Sequence, residues 1–218
     1  MKNIKKEQIH TIRRFDRRDF LNKNEEINQI MFRVLSSHES NDDGFDIEQS
    51  KEYIADLNLD ILTKDYLKVR LYVLMDKVDN VPLCFGLFSK DRTRGDWHLE
   101  FISTNKDYCG MGYAEALFLH AAKDIANSKN PYISSVVNED NYASLALHDA
   151  LGRQKGIKIF SQKMDNDDEL YDEYMNDNFD YDDYSENHKG YSNRLSFLFD
   201  VSALKNQEEC EESDDVIM

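Results

Sequence analysis

Six consecutive residues, Cys109-Gly110-Met111-Gly112-Tyr113-Ala114, are the part of this chain best suited to hold a phosphate. They follow a strand-like run, Trp97 to Thr104. They open a run whose apolar residues Ala114, Leu117, Phe118, Ala121, Ala122 and Ile125 fall at i, i+3, i+4, i+7, i+8 and i+11, the period of an amphipathic helix. A strand that turns through glycines into a helix leaves the first N–H groups of that helix without intrahelical partners. The helix dipole favours an anion at the same end. Gly110 and Gly112 remove side chains that would block close approach and permit unusual backbone angles. Glu115 stands where a Rossmann fingerprint needs its third small residue, and the Gly-Lys-Ser/Thr of a P-loop is absent. Taken alone, two glycines here also fit a plain strand-to-helix connection.

The strand before the turn carries His98 and Glu100, two residues apart and so on one face. Either is a candidate proton acceptor. The same alternation describes a half-exposed strand with Trp97, Leu99 and Phe101 packing beneath. After the helix, Asn141 begins a second one with Ala143, Leu147, Ala150 and Leu151 on one face, and Gly152 is its expected stop. Asn141 and Ser144 suit a helix cap as well as a ligand contact. Cys109 stands near a helix N-terminus, a place where thiols can become reactive, although a small residue filling a crowded turn is the plainer reading.

The turn resembles the signature of the GNAT superfamily of N-acetyltransferases: Arg or Gln, two variable residues, Gly, one variable residue, then Gly or Ala. Only the first position departs, being Cys109. The segment Asn141-Tyr142-Ala143-Ser144-Leu145-Ala146-Leu147-His148, with Gly152 four residues on, is similar to a second feature of that family, with His148 in place of tyrosine. The resemblance implies an α+β fold: a GNAT-like mixed, mostly antiparallel central sheet of about six to seven strands with helices on both faces. It implies acetyl-CoA as cofactor, its pyrophosphate on the amides of Gly110 to Ala114 and its pantetheine beside the strand Trp97 to Thr104. The cofactor set is then Thr104, Cys109, Gly110, Met111, Gly112, Tyr113, Ala114, Asn141 and Ser144, with Lys106 available as a further cation and no metal. Transfer of an acetyl group to an amine needs the amine neutral, and aliphatic amines are protonated near pH 7. His98 or Glu100 is the expected base, and His148 the expected donor to the departing thiolate. The alternative is a non-catalytic acyl-CoA-binding or protein-interaction module on the same fold, suggested by Cys109 and His148.

These residues must be positioned by the rest of the chain. Residues 1–65 read as polar helices. The first has Phe20, Ile27, Ile30, Met31, Val34 and Leu35 at helical spacing. A break at 36–44 separates it from a second over 47–62 with the stripe Tyr53, Ile54, Leu57 and Ile61. Alternation over Leu67 to Val73 and the run Val81 to Ser89, joined at Asp79-Asn80, predict a hairpin. Short strands are expected at 132–137, 156–162 and 194–201, the last two pairing across an acidic excursion. The chain reads as one GNAT-like domain over 1–204, with N-terminal helices at 16–65, a core at 66–204 and an acidic insertion at 165–186. An acidic tail at 205–218 is expected to be disordered.

The 218 residues carry a net charge of −16, but the acidity is local. Residues 165–186 hold eleven Asp and Glu with no Lys or Arg, and residues 206–218 hold six more, so the remainder is close to neutral. Tyrosines interleave with the carboxylates of the insertion, a field that suits a cationic acceptor: a polyamine, an aminoglycoside, or a peptide lysine or N-terminus. A solvated loop reads equally well. Three separated cysteines and no run of signal-peptide or membrane-span length lead to the expectation of a cytoplasmic protein without a membrane partner. Arg13, Arg14, Arg17 and Arg18 are interspersed with acidic residues and lack an aromatic platform, so nucleic acid is not the expected partner. A homodimer is compatible with the charge distribution.

Overall fold

The computed structural model describes residues 10–38, 47–92, 95–164 and 194–206. In chain order its elements are β1 (His10–Asp16), α1 (Arg17–Leu35), α2 (Ile47–Thr63), β2 (Lys68–Asp76), β3 (Pro82–Lys90), β4 (Trp97–Thr104), α3 (Tyr113–Ala126), β5 (Tyr132–Asn138), α4 (Tyr142–Gly152), β6 (Lys158–Met164) and β7 (Arg194–Asp200). Three 3-10 turns supplement them at Ser36–His38, Lys106–Tyr108 and Ser202–Asn206. The seven strands form one sheet in the order β1-β2-β3-β4-β5-β7-β6. Only β4 and β5 run parallel. The mixed, mostly antiparallel sheet with helices on both faces is therefore as expected. The expected insertion at 165–186 and tail residues 207–218 lie outside the described residues.

Strand alternation divides the core in two. Tyr72, Leu74, Cys84, Phe88, Trp97 and Leu99 face α3 and α4, where Leu117, Phe118, Ala121, Ala122 and Ile125 are fully buried. Val69, Leu71, Val73, Phe85 and Leu87 face α1 and α2 and meet Phe20, Ile27, Met31, Ile54 and Ile61. Each large side chain taken out of water on these faces contributes about 1.5–3 kcal/mol. The α1 entry is fixed by a capping box: Asp16 accepts from the Arg18 and Asp19 amides, and Asp19 accepts from the Asp16 amide at 3.0 Å.

Three expectations are corrected. Residues 10–16 form a strand rather than a helical lead-in, paired along its length with β2. Ile12 and Phe15 sit three apart, which reads as helical, yet in the strand they enter opposite cores. Tyr53, expected in the buried stripe of α2, is 39% exposed, and Asn58 is buried instead. Asn58 donates to Asn28 at 2.6 Å, giving the α1–α2 contact a polar seam. Lastly, Phe101 does not share a face with Trp97 and Leu99. In the ladder with β3, Leu87 pairs Phe101 and Phe88 pairs Leu99, so Glu100 is the extra residue of a β-bulge. The phase shifts by one, and Phe101 stacks on Phe85 at 5.6 Å on the α1/α2 side.

Candidate active site

The parallel ladder between β4 and β5 contains two residue pairs, Trp97 with Ile133 and His98 with Ser134. Beyond them the strands separate. Neighbouring parallel strands with helices leaving their carboxyl ends create a crevice at that end of a sheet. Here α3 and α4 both start beside it, the first through the glycine turn and the second at Asn141.

The two helix starts are chemically different. At α4, the Asn141 side chain accepts from the Ser144 amide at 3.0 Å, so an orphan donor is already satisfied within the chain. Asn141 is thereby a cap, and Ser144 contributes its amide to that cap and its carbonyl to His148. At α3 the cap position is Gly112, with φ +79° and no side-chain cap. Gly110 also has positive φ, +76°, and a Cβ built at either glycine would meet nothing within 4 Å. The start of α3 thus lacks a side-chain cap and is preceded by two glycines whose backbone angles side chains disfavour and whose Cβ positions are open. Among the described residues this is the helix start best suited to an anion.

Supports for the turn come from segments that the sequence did not single out. Ser37 accepts from the Lys106 amide at 2.9 Å, and His38 Nε2 bonds the Thr104 carbonyl at 2.9 Å. The 3-10 turn that follows α1 therefore braces the stretch between β4 and α3. Thr104 turns its hydroxyl to the buried Cys84 sulfur at 3.4 Å. The exposed Cys109 points its thiol at the carbonyls of Thr104 and Asn105, each at 3.7 Å. Met111 is exposed, Ala114 packs against the core, and Tyr113 is anchored by its hydroxyl to His10 at 3.1 Å.

The two candidate bases are held by different partners, Glu100 at the bulge and His98 on the ladder with β5. Glu100 accepts hydrogen bonds from the Tyr53 hydroxyl at 2.5 Å and from the Ser89 hydroxyl. Tyr53 comes from α2 and Ser89 from β3, so three elements hold one carboxylate. Of the three, sequence singles out only Glu100 as a candidate, because nothing in local periodicity brings Tyr53 to that strand. His98 is buried rather than partly solvated, and its Nδ1 lies 3.0 Å from the Ser134 hydroxyl across the short parallel ladder.

His148 is placed differently from its expected role. It is 3% exposed, with Nδ1 at 2.7 Å from the Ser144 carbonyl and Nε2 at 2.7 Å from the Ser135 hydroxyl. A carbonyl can only accept, so Nδ1 carries the proton and Nε2 accepts from Ser135. The ring lies 4.3 Å from Phe197 and 5.3 Å from Phe199. Burial lowers its pKa, which favours this neutral form. A proton donor to a departing thiolate needs a free N–H at the crevice. The only proton here is committed to a backbone carbonyl.

Among the described residues no group of three or more His, Cys, Asp or Glu is arranged to hold a metal, and no helix is long and apolar enough to cross a membrane.

The comparisons with known proteins bear on the fold and the family. The fold resembles a protein from Desulfovibrio desulfuricans assigned to the GNAT family of acetyltransferases, at 10% identity and a TM-score of 0.55 over 87% of this chain and 96% of that one. It also resembles a chimera of the Vibrio cholerae spermidine N-acetyltransferase SpeG and hSSAT, at 12% identity and a TM-score of 0.52 over 91% of this chain and 99% of that one. At such identities the likeness is one of fold. No curated protein matches the chain in sequence. The family model described as Acetyltransferase (GNAT) family matches residues 33–152, more than half of the chain, from the end of α1 through the glycine turn to the end of α4. The chain is a member of the GNAT acetyltransferase family.

Proposed function

We propose that the protein is an acetyl-CoA-dependent N-acetyltransferase acting on a primary amine by direct attack in a ternary complex. The observation that carries the proposal is the uncapped N-terminus of α3, opening on the crevice where β4 and β5 part. The residues present fit a pyrophosphate there: two glycines with positive φ, open space where Cβ atoms would stand, and a 14-residue helix whose start has no side-chain cap. The amides of Gly110 to Ala114 would hold it. The extended amide chain of the cofactor would run beside the part of β4 that β5 does not pair. Bound acetyl-CoA supplies an activated acetyl carbonyl.

Glu100 would take the ammonium proton of the acceptor, directly or through Tyr53, leaving a neutral nitrogen able to attack, and the second proton that the nitrogen sheds on forming the amide would pass to solvent. The leaving sulfur would be protonated from solvent, because the His148 proton is held by Ser144. Cys109 offers no side-chain grip on the pyrophosphate, so backbone amides and Lys106 carry the affinity. A cationic acceptor is favoured by the carboxylate at the bulge and by the acidity of residues 165–186. The spermidine acetyltransferase chimera of similar fold acts on such an amine.

Thermal shift with acetyl-CoA, followed by thiol release across a panel of polyamines, aminoglycosides and lysine peptides, tests the reading. Acetyl-CoA is expected to raise the melting temperature, and one amine class to drive CoA release. Glu100→Gln is expected to lower kcat by about 10²-fold or more while the thermal response to acetyl-CoA persists. Binding without consumption of any amine would favour the non-catalytic binding module, which the committed proton of His148 also suits. No thermal response would remove the cofactor from the proposal.

A further inference from the structure

Four strand pairings line up into one row across the sheet. Ser89 of β3 pairs with His98 of β4, His98 with Ser134 of β5, Ser134 with Leu198 of β7, and Leu198 with Phe160 of β6. Residues paired across a ladder share a face, so all five side chains stand on one side of the sheet. It is the α1/α2 side, because Trp97 and Leu99, the neighbours of His98, face α3. The head of the row belongs to the candidate base: the Ser89 hydroxyl donates to Glu100, and His98 Nδ1 lies 3.0 Å from the Ser134 hydroxyl.

The far half of the row is apolar and uncovered. The core cluster under α1 and α2 takes side chains from β1 to β4 and none from β5, β6 or β7. Leu198 is 38% exposed and Phe160 58%, and Tyr132, two residues before Ser134 on the same face of β5, is 40% exposed. A solvated sheet face ordinarily shows polar side chains, and a cluster of exposed apolar ones marks a contact surface. Strands lie about 4.8 Å apart, so Leu198 stands about 10 Å and Phe160 about 14 Å from β4. None of the five residues is a carboxylate. Asp200, in the adjoining row, accepts from the Ser202 amide at 3.0 Å and pairs with Lys158 in the ladder. A second ammonium on an acceptor would therefore come to rest on Ser134 and Leu198 with no counter-charge in the row.

We propose that this row is the acceptor platform, and that the acceptor is a monoamine carrying an apolar group about 10–14 Å from its nitrogen. With Glu100 as the base of the proposed function, on which this assignment rests, the nitrogen lies at the head of the row. The connecting chain passes Ser134, and the apolar group covers Leu198 and Phe160. Two kinds of amine have that form: a long alkylamine, and the N-terminus of an extended peptide with apolar third and fourth residues, at about 3.3 Å per residue. Polyamines and aminoglycosides carry further ammonium groups in place of an apolar end and fit the platform poorly.

The test compares matched acceptors on the full chain saturated with acetyl-CoA: octylamine with ethylamine, Gly-Gly-Leu-Phe amide with Gly-Gly-Ser-Ser amide, and spermidine beside both pairs. The apolar member of a pair is expected to have a kcat/KM about tenfold or more above its counterpart, and above spermidine, with the gain lying in KM. The pair that shows the preference identifies the source, a small amine or a peptide N-terminus. Phe160→Ala with Leu198→Ala should lower the ratio about tenfold, and Phe160→Leu should keep most of it; neither side chain is part of the buried core. Equal kcat/KM within both pairs, a preference for spermidine, or a ratio that the double substitution leaves in place overturns the platform and leaves the acetyltransferase standing. Calorimetric titration of octylamine and the apolar peptide into the CoA-loaded protein covers the opposite case. If no amine is acetylated, yet one binds and the double substitution weakens its binding about tenfold, the platform stands and the enzymatic role falls. Neither turnover nor binding overturns both.

Discussion

Replacement of His148 separates a structural imidazole from a catalytic one. Truncation to alanine removes a ring that is 3% exposed and lies 4.3 and 5.3 Å from Phe197 and Phe199. Loss of packing costs about 2 kcal/mol and loss of the ring contacts about 1 kcal/mol. Leaving the Ser135 hydroxyl, 2% exposed, without its acceptor costs about 1 kcal/mol more. The sum is about 4 kcal/mol, or a melting temperature lower by about 8–16 °C for a chain of this size. His148→Phe keeps the ring contacts and loses both hydrogen bonds, so its expected cost is about 1–2 kcal/mol. Because burial depresses the His148 pKa, the folded protein binds fewer protons than the unfolded chain below about pH 6.5. The associated stability is complete above that pH and is lost as pH falls through the folded value. His148→Phe should flatten this limb. Urea titrations at pH 7 and pH 5, paired with kcat against pH, provide the assay. Once corrected for the folded fraction, kcat of His148→Phe should stay within about threefold of the parent. A variant with an unchanged melting temperature but a kcat about 10²-fold lower would refute the reasoning and restore the ring as a proton donor.

Gly112→Ala introduces a side chain at φ +79° with no steric neighbour, so its cost is conformational: about 1–2 kcal/mol, read as a melting temperature about 2–8 °C lower. The same methyl would stand where the pyrophosphate is proposed to bind, so KM for acetyl-CoA should rise about tenfold, which a kinetic titration would measure. Tyr72→Phe removes a 2.5 Å hydrogen bond to Asp124 while Arg14 and Arg70 remain, and should cost about 1.5–2 kcal/mol at pH 7 in a urea titration. Burial acts to raise the Asp124 pKa, but the bonds from Tyr72 and Arg14 outweigh it and hold the pKa low. This stability is therefore present above about pH 3.9 and is lost as pH falls through the folded value, and Tyr72→Phe should narrow the difference between pH 7 and pH 3.

What the sequence disclosed depended on how locally each feature is encoded. The glycine turn and α3 were fully legible, because a helical period and a strand-to-helix change are written in adjacent residues. The hairpin of β2 and β3 was legible through alternation and the Asp79-Asn80 turn, and Asn80 does adopt positive φ, 53°. β1 was hidden because Ile12 and Phe15 are spaced like helix neighbours, and only pairing with β2 assigns them to two faces. The bulge at Glu100 was equally hidden, since it is a relation between β4 and β3 rather than a property of either. With it went the side assigned to Phe101 and the meeting of Tyr53, Ser89 and Glu100. His148 was read from a position in a motif. Its surroundings are made by Ser135, Phe197 and Phe199, residues on other elements that no spacing rule connects to it.

The parting of β4 and β5 places a strand edge in the middle of a sheet instead of at its margin. At a margin, unpaired backbone groups invite the strand of another protein and have to be blunted by charge, bulges or cover. Inside the sheet, α3 and α4 flank the gap and β3 and β7 pair the outer sides of the two strands, so a whole polypeptide strand with its side chains is a poor fit. A slender chain with amides and few branches is the shape that can enter. The protein thus keeps available the pairing capacity that an aggregation-prone edge would offer, and restricts who can use it by width.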